Sequence, residues 1–98
     1  MTTDSFVRDR LPPPKLLPEF RFDLPELQYP ERLNGAAELL NGGAPGALAV
    51  INAHGRWTYA QLDEFSGRIA RLLADEHGLV PGNRVLLRGP NSYTMFAA

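Results

Sequence analysis

Apolar and polar positions separate most cleanly between Trp57 and Leu79, WTYAQLDEFSGRIARLLADEHGL. Leu62, Phe65, Ile69, Leu72 and Leu73 recur at helical spacing on one face, and Gln61, Glu64, Arg68, Arg71 and Asp75 on the other. Thr58 is a favourable N-cap and Gln61, three residues on, completes a capping box. Trp57 and Leu62 have the spacing of a hydrophobic staple. Gly78 suits the left-handed residue that closes a helix, with Leu79 folding back on Leu73 or Ala74, and Pro81 forbids resumption. The pattern predicts a helix over Tyr59–Glu76, about 27 Å long at 1.5 Å per residue. Gly67 is its one inconsistent position, costing roughly 1 kcal/mol against alanine, and a close neighbouring backbone would account for it.

Strand-like runs flank this helix. Ala47–Ile51 is continuously apolar and Gly55–Thr58 is short and strand-like, with Asn52-Ala53-His54-Gly55 as a hairpin turn between them. Pro81-Gly82-Asn83 turns the chain into Arg84–Leu87, a further expected strand, which Gly89-Pro90 ends. Asn91 or Ser92 can cap a last helix beginning at Tyr93. Upstream, Pro30 fits the first position of a short helix, with Leu33, Ala36, Ala37 and Leu40 on one face and Gly42-Gly43 as its end. The elements make a mixed α/β unit over residues 29–98, preceded by an arm over residues 1–28. Only about one turn of the last helix is present, so the reading expects an incomplete N-terminal subdomain of a larger domain.

The arm is extended because Pro12, Pro13 and Pro14 favour a polyproline path and Pro18 and Pro25 block helices. It is too apolar for a solvated tail: Phe6, Leu11, Leu16, Leu17, Phe20, Phe22, Leu24 and Leu27 need a surface to lie on. A ligand for an SH3-type partner is the sharper alternative for its proline run. The first thirty residues hold six of the nine prolines, so the core-forming part of the 98-residue chain is small. A segment of that size buries only about 60% of its unfolded surface.

Charge and composition narrow the function classes. The net charge is −1 and the ten basic residues, nine of them arginine, are scattered, which points away from nucleic acid. The chain has no cysteine, so disulfides and thiolate metal sites are excluded. The first residues, MTTDSFVRDRLPPP, lack the apolar stretch of a secretory signal, and no run approaches the roughly 18 apolar residues of a membrane span. A cytoplasmic protein with neither membrane nor nucleic-acid partner is expected.

Candidate chemistry is sparse. Gly42-Gly43-Ala44-Pro45-Gly46 is the only glycine-rich loop, but it follows a helix and precedes a strand, the reverse of a phosphate loop. His54 and His77 stand apart, with no ligand cluster around them. Asp63-Glu64 and Asp75-Glu76 are adjacent pairs on a solvated helix and do not form a proton-sharing dyad. Ser5, Ser66 and Ser92 lack a nucleophile-elbow context. Asn91-Ser92 is the most informative polar pair. It follows the C-terminal end of an expected strand, where open α/β sheets bind ligands, and helix capping is the competing reading. No catalytic, cofactor-binding or metal-ligating set is assigned.

Trp57-Thr58-Tyr59-Ala60-Gln61-Leu62 resembles the first core motif of the adenylate-forming acyl-CoA synthetase (AMP-binding) superfamily, a Leu-Thr/Ser-Tyr-x-Glu-Leu pattern, with Trp for Leu and Gln for Glu. The continuation FSGRIARLLADEHGLVPGNRVLLRGPNS resembles that superfamily's helix, its Pro-Gly-Asp-x-Val turn and its Asn-Ser loop, with Asn83 where Asp is usual. RDRLPPPKLLPEF and FDLPELQYPERLNGAAELL resemble the 2-aminobenzoate–CoA and benzoate–CoA ligase branch. The resemblance implies a parent enzyme that adenylates a carboxylic acid with ATP and Mg²⁺ and passes the acyl group to the thiol of CoA. The superfamily's phosphate loop, ribose-binding Asp, acyl pocket and catalytic Lys match no position here. The implied role of these residues is scaffold, inactive alone, with the remainder of the ligase domain as partner and self-association through exposed apolar surface. An interaction module using the arm, or an adenylation domain loading a carrier protein, are the alternatives.

Overall fold

A computed structural model describes residues 2–98; Met1, the first residue of the arm, lies outside the described residues. The elements run in the order α1 (Gly35–Leu40), β1 (Leu48–Asn52), β2 (Gly55–Thr58), α2 (Tyr59–Arg71) and α3 (Tyr93–Ala97). The arm carries three single 3-10 turns, Arg8–Arg10, Pro14–Leu16 and Pro25–Leu27, the latter two led by their prolines. Its path is thus extended but interrupted: Leu16 N–H reaches Pro13 O at 2.8 Å and Leu27 N–H reaches Leu24 O at 2.9 Å. Leu16 and Phe20 stay 68% and 74% exposed, so these two apolar side chains of the arm find little cover on this chain.

The first helix starts later than the proline implied. Asn34 Oδ1 accepts the Ala37 N–H at 3.1 Å, and this Asn cap, not Pro30, sets the start of α1. An Asn side chain supplies an acceptor to the orphan donors of the first turn, whereas proline only tolerates their absence. Residues 30–33 therefore stay outside the helix.

β1 and β2 form an antiparallel hairpin pairing Asn52 with Gly55, Ile51 with Arg56, Val50 with Trp57 and Leu48 with Thr58, with an irregularity between Leu48 and Val50. Neither Ala53 nor His54 has a positive φ, so the two-residue loop is neither a type I′ nor a type II′ turn. Asn52 holds it instead, its Oδ1 accepting from His54 N–H at 2.8 Å and Gly55 N–H at 3.2 Å.

α2 opens with the full capping box. Thr58 Oγ1 accepts from Gln61 N–H at 3.2 Å and Gln61 Oε1 from Thr58 N–H at 2.8 Å. The predicted span divides: the α-helix ends at Arg71 and Leu72–Glu76 forms one π turn, closed by His77 N–H on Leu72 O at 3.2 Å. Gly78 follows at φ +65°, and Leu79 N–H bonds Leu73 O at 2.9 Å. That bond spans one residue more than a standard Schellman closure, because the π turn has widened the last loop of backbone. Nothing lies within 4 Å of a Cβ built on Gly67, so no close backbone explains that glycine.

Arg84–Leu87, expected as a strand, joins no ladder: the sheet contains β1 and β2 alone among the described residues. A strand exists only through a partner edge, and Leu86, 91% exposed, faces none. Mixed α/β architecture nevertheless holds. The core is minimal, with Val50 and Ala97 the only buried hydrophobic residues among those described.

Candidate functional site

The N-terminus of α2 is where backbone donors converge, and the chain satisfies them itself. Tyr59 N–H bonds Ala47 O at 3.0 Å, Ala60 N–H bonds Pro45 O at 3.0 Å, and Gln61 N–H is held by Thr58. The glycine-rich loop is thus a lid on this helix end and leaves no open donor nest for an anion. The Tyr59 ring lies across it; a Cβ on Gly43 would stand 2.4 Å from a ring carbon, so glycine is required there for packing.

Beside this end stands an aromatic cluster. Trp57 stacks on Tyr93 with centroids 4.4 Å apart and planes 6° from parallel, and Phe65 meets Tyr93 at 5.2 Å. These contacts fasten α3 to β2 and α2. Burial raises the Tyr93 phenol above its ordinary value, and the Glu64 carboxylate adds to the rise while Arg68 opposes it. Glu64 and Arg68 face each other at 4.0 Å, both exposed, as their spacing predicts.

Asn91 and Ser92 come together with Val50, Ile51, Asn52 and Phe96 around a cleft of about 230 Å³. Ser92 Oγ accepts the Met95 N–H at 3.2 Å, capping α3, and Asn91 is exposed. His54 and His77 are exposed and distant from each other in sequence, as are both acidic pairs from the cleft-lining residues. Among the described residues no group of three or more His, Cys, Asp or Glu side chains is placed to hold a metal ion. No helix among them is long and apolar enough to cross a membrane.

Two features escaped the sequence reading. Tyr93 anchors the aromatic cluster, and nothing local marks it, because its partners lie in other elements. Asp4 reaches the Pro81–Arg84 turn, where its N–H bonds Pro81 O at 2.8 Å and its Oδ2 accepts from Asn83 Nδ2 at 2.9 Å and from the Arg84 guanidinium. Its Oδ1 also accepts from Phe6 N–H at 2.9 Å. The Phe6 N–H and then the Asn83 amide lower the carboxyl from its ordinary value, desolvation opposes them, and Arg84 adds to the lowering.

The family model of the AMP-binding enzymes matches residues 40–98, more than half of the chain. The chain belongs to the AMP-binding enzyme family. The matched part of this AMP-binding enzyme chain begins at the end of α1 and contains the hairpin, α2 and α3, so the arm stands outside it. Neither curated proteins nor solved structures give a match. The family places residues 40–98 in a segment of an adenylate-forming ligase.

Proposed function

We propose that these residues are the N-terminal scaffold of an ATP-dependent aryl-CoA ligase of the 2-aminobenzoate or benzoate type, with residues 1–28 as an arm and residues 29–98 as part of its adenylation domain. The parent reaction joins a carboxylate to AMP with loss of pyrophosphate, and the CoA thiol then displaces AMP. The family match supports the adenylate-forming part of this reading, and its aryl-CoA part rests on the resemblance of RDRLPPPKLLPEF and FDLPELQYPERLNGAAELL to that branch. The near absence of a core supports the scaffold role. Leu39, Leu40, Val50, Leu62 and Phe96 line an open groove of about 470 Å³ that the remainder of the ligase domain would cover. Uncovered, the same groove is the surface for self-association of the chain. In this reading ATP, Mg²⁺ and CoA are bound by other parts of the parent protein, consistent with the α2 N-terminal donors being engaged within the chain. Their contribution is charge neutralisation at the phosphates and the acceptor thiol. What residues 40–98 contribute is position: the capped helix and the Trp57–Tyr93 stack hold the Asn91-Ser92 corner in place.

The test is pyrophosphate exchange into ATP by the longest native polypeptide carrying these residues, with benzoate and 2-aminobenzoate, followed by thioester formation with CoA. Acid-dependent exchange and an aryl-CoA product are expected. Exchange followed by loading of a carrier protein alone would transfer the assignment to the second reading.

A further inference from the structure

We propose that Asp4 and Phe6 form a hook that latches onto the Pro81–Arg84 turn and ties the N-terminal part of the proline-rich arm back to the domain. The two sides of this contact are built for each other. The turn presents the Pro81 carbonyl, the Asn83 amide and the Arg84 guanidinium, and the Asp4 backbone and carboxylate engage all three. Asn83 also accepts the Val80 N–H at 3.0 Å through Oδ1, which leaves its Nδ2 aimed at Asp4. Gly82 has φ +91°, and a Cβ there would lie 1.9 Å from the Asp4 carbonyl oxygen. Only glycine therefore admits the hook, on both conformational and steric grounds.

The Phe6 ring completes the contact. Arg10 lies 3.8 Å and Arg84 4.6 Å from its centroid, so one guanidinium from the arm and one from the turn share a single aromatic ring. Ser5 Oγ donates to Asp9 Oδ2 at 2.6 Å, which stiffens the 3-10 turn carrying Arg10. The groups facing the Asp4 carboxylate are Asn83, Arg84 and the Phe6 N–H, and no second carboxylate joins them. With the hook engaged, residues 11–24 form a strap between it and the residues that follow; released, the same exposed leucines and phenylalanines lose that anchor. The latch is the device that chooses between these states.

The chain lacks cysteine, so a nitroxide on Thr2→Cys labels one site in the full chain. In isotope-labelled protein this label is expected to broaden the Gly82, Asn83 and Arg84 amides. The broadening is expected to be lost in Asp4→Ala and in Gly82→Ala. Asn83→Asp, which keeps the bond to Val80 but sets a carboxylate against Asp4, is expected to lose it too, and Asp4→Asn added to Asn83→Asp to restore it. The contacts of Asp4 are with Phe6 and the Pro81–Arg84 turn, not with the hairpin or α2, so unchanged amide shifts of those elements are expected in Asp4→Ala. No broadening in the parent chain, broadening that survives Asp4→Ala and Gly82→Ala, or a swap that fails to restore it would each overturn the proposal.

Discussion

Tyr93→Ala is expected to free α3 from the rest of the chain. The substitution removes a stacked contact with Trp57 at 4.4 Å and a tilted one with Phe65 at 5.2 Å. An aromatic pair of this kind contributes about 0.5–1.5 kcal/mol beyond the area it buries. Two such pairs share one ring, so a combined loss of about 1–3 kcal/mol is expected, which lowers the ratio of docked to undocked α3 by a factor of roughly 5–160. Trp57 is the sole tryptophan, so its fluorescence reads this equilibrium without interference. Tyr93→Ala should shift Trp57 emission to longer wavelength and raise its quenching by acrylamide. Tyr93→Phe should leave both near the parent values, because the ring and not the hydroxyl makes the contacts. An unchanged Trp57 spectrum and quenching in Tyr93→Ala would refute the reasoning.

Further expectations concern single groups. The Tyr93 phenol is raised in the folded chain, so its stabilising effect is complete below the ordinary phenol range and is lost as pH rises through the elevated value; Glu64→Gln should bring that titration down, followed by ultraviolet absorbance. The Asp4 carboxyl is lowered, so the hook persists above the ordinary carboxylate range and releases as pH falls through the lowered value, read as exchange of the Phe6 amide. Gly67→Ala meets open space and should strengthen α2 by roughly 1 kcal/mol, seen as slower hydrogen exchange of its amides; faster exchange would show an unseen contact. Ser92→Asp should preserve α3 while Ser92→Ala weakens it by about 0.5–2 kcal/mol, measured by amide exchange at Met95, and equal loss in both would argue against capping.

The elements that sequence made legible are those whose causes are local. Thr58 and Gln61 sit three residues apart and cap each other, and Glu64 and Arg68 share a helix face. Gly78 takes the left-handed conformation its place requires. What local pattern could not show depends on partners elsewhere. Arg84–Leu87 has the composition of a strand but no neighbouring edge, and the π turn after Arg71 shifts the closing bond by one residue. Gly67, where helical pattern implies a close packing neighbour, faces open space. At the candidate site, the order of helix, loop and strand argued against a phosphate loop at Gly42–Gly46. The structure adds the reason, since the Ala47 and Pro45 carbonyls occupy the donors of α2. Trp57 has the spacing of a staple with Leu62, and its ring stacks on Tyr93, a partner no short-range rule could supply. The Asp4 hook joins residues nearly a whole chain apart, and only the fold brings them together.

If these residues act as scaffold within a larger adenylate-forming enzyme, the intact mass of the native protein that carries them, taken before any handling, is expected to lie several-fold above the 10.8 kDa of this chain. A native mass of 10.8 kDa would contradict that role, and the open apolar groove would then have to be covered by another copy of the chain or by a different protein.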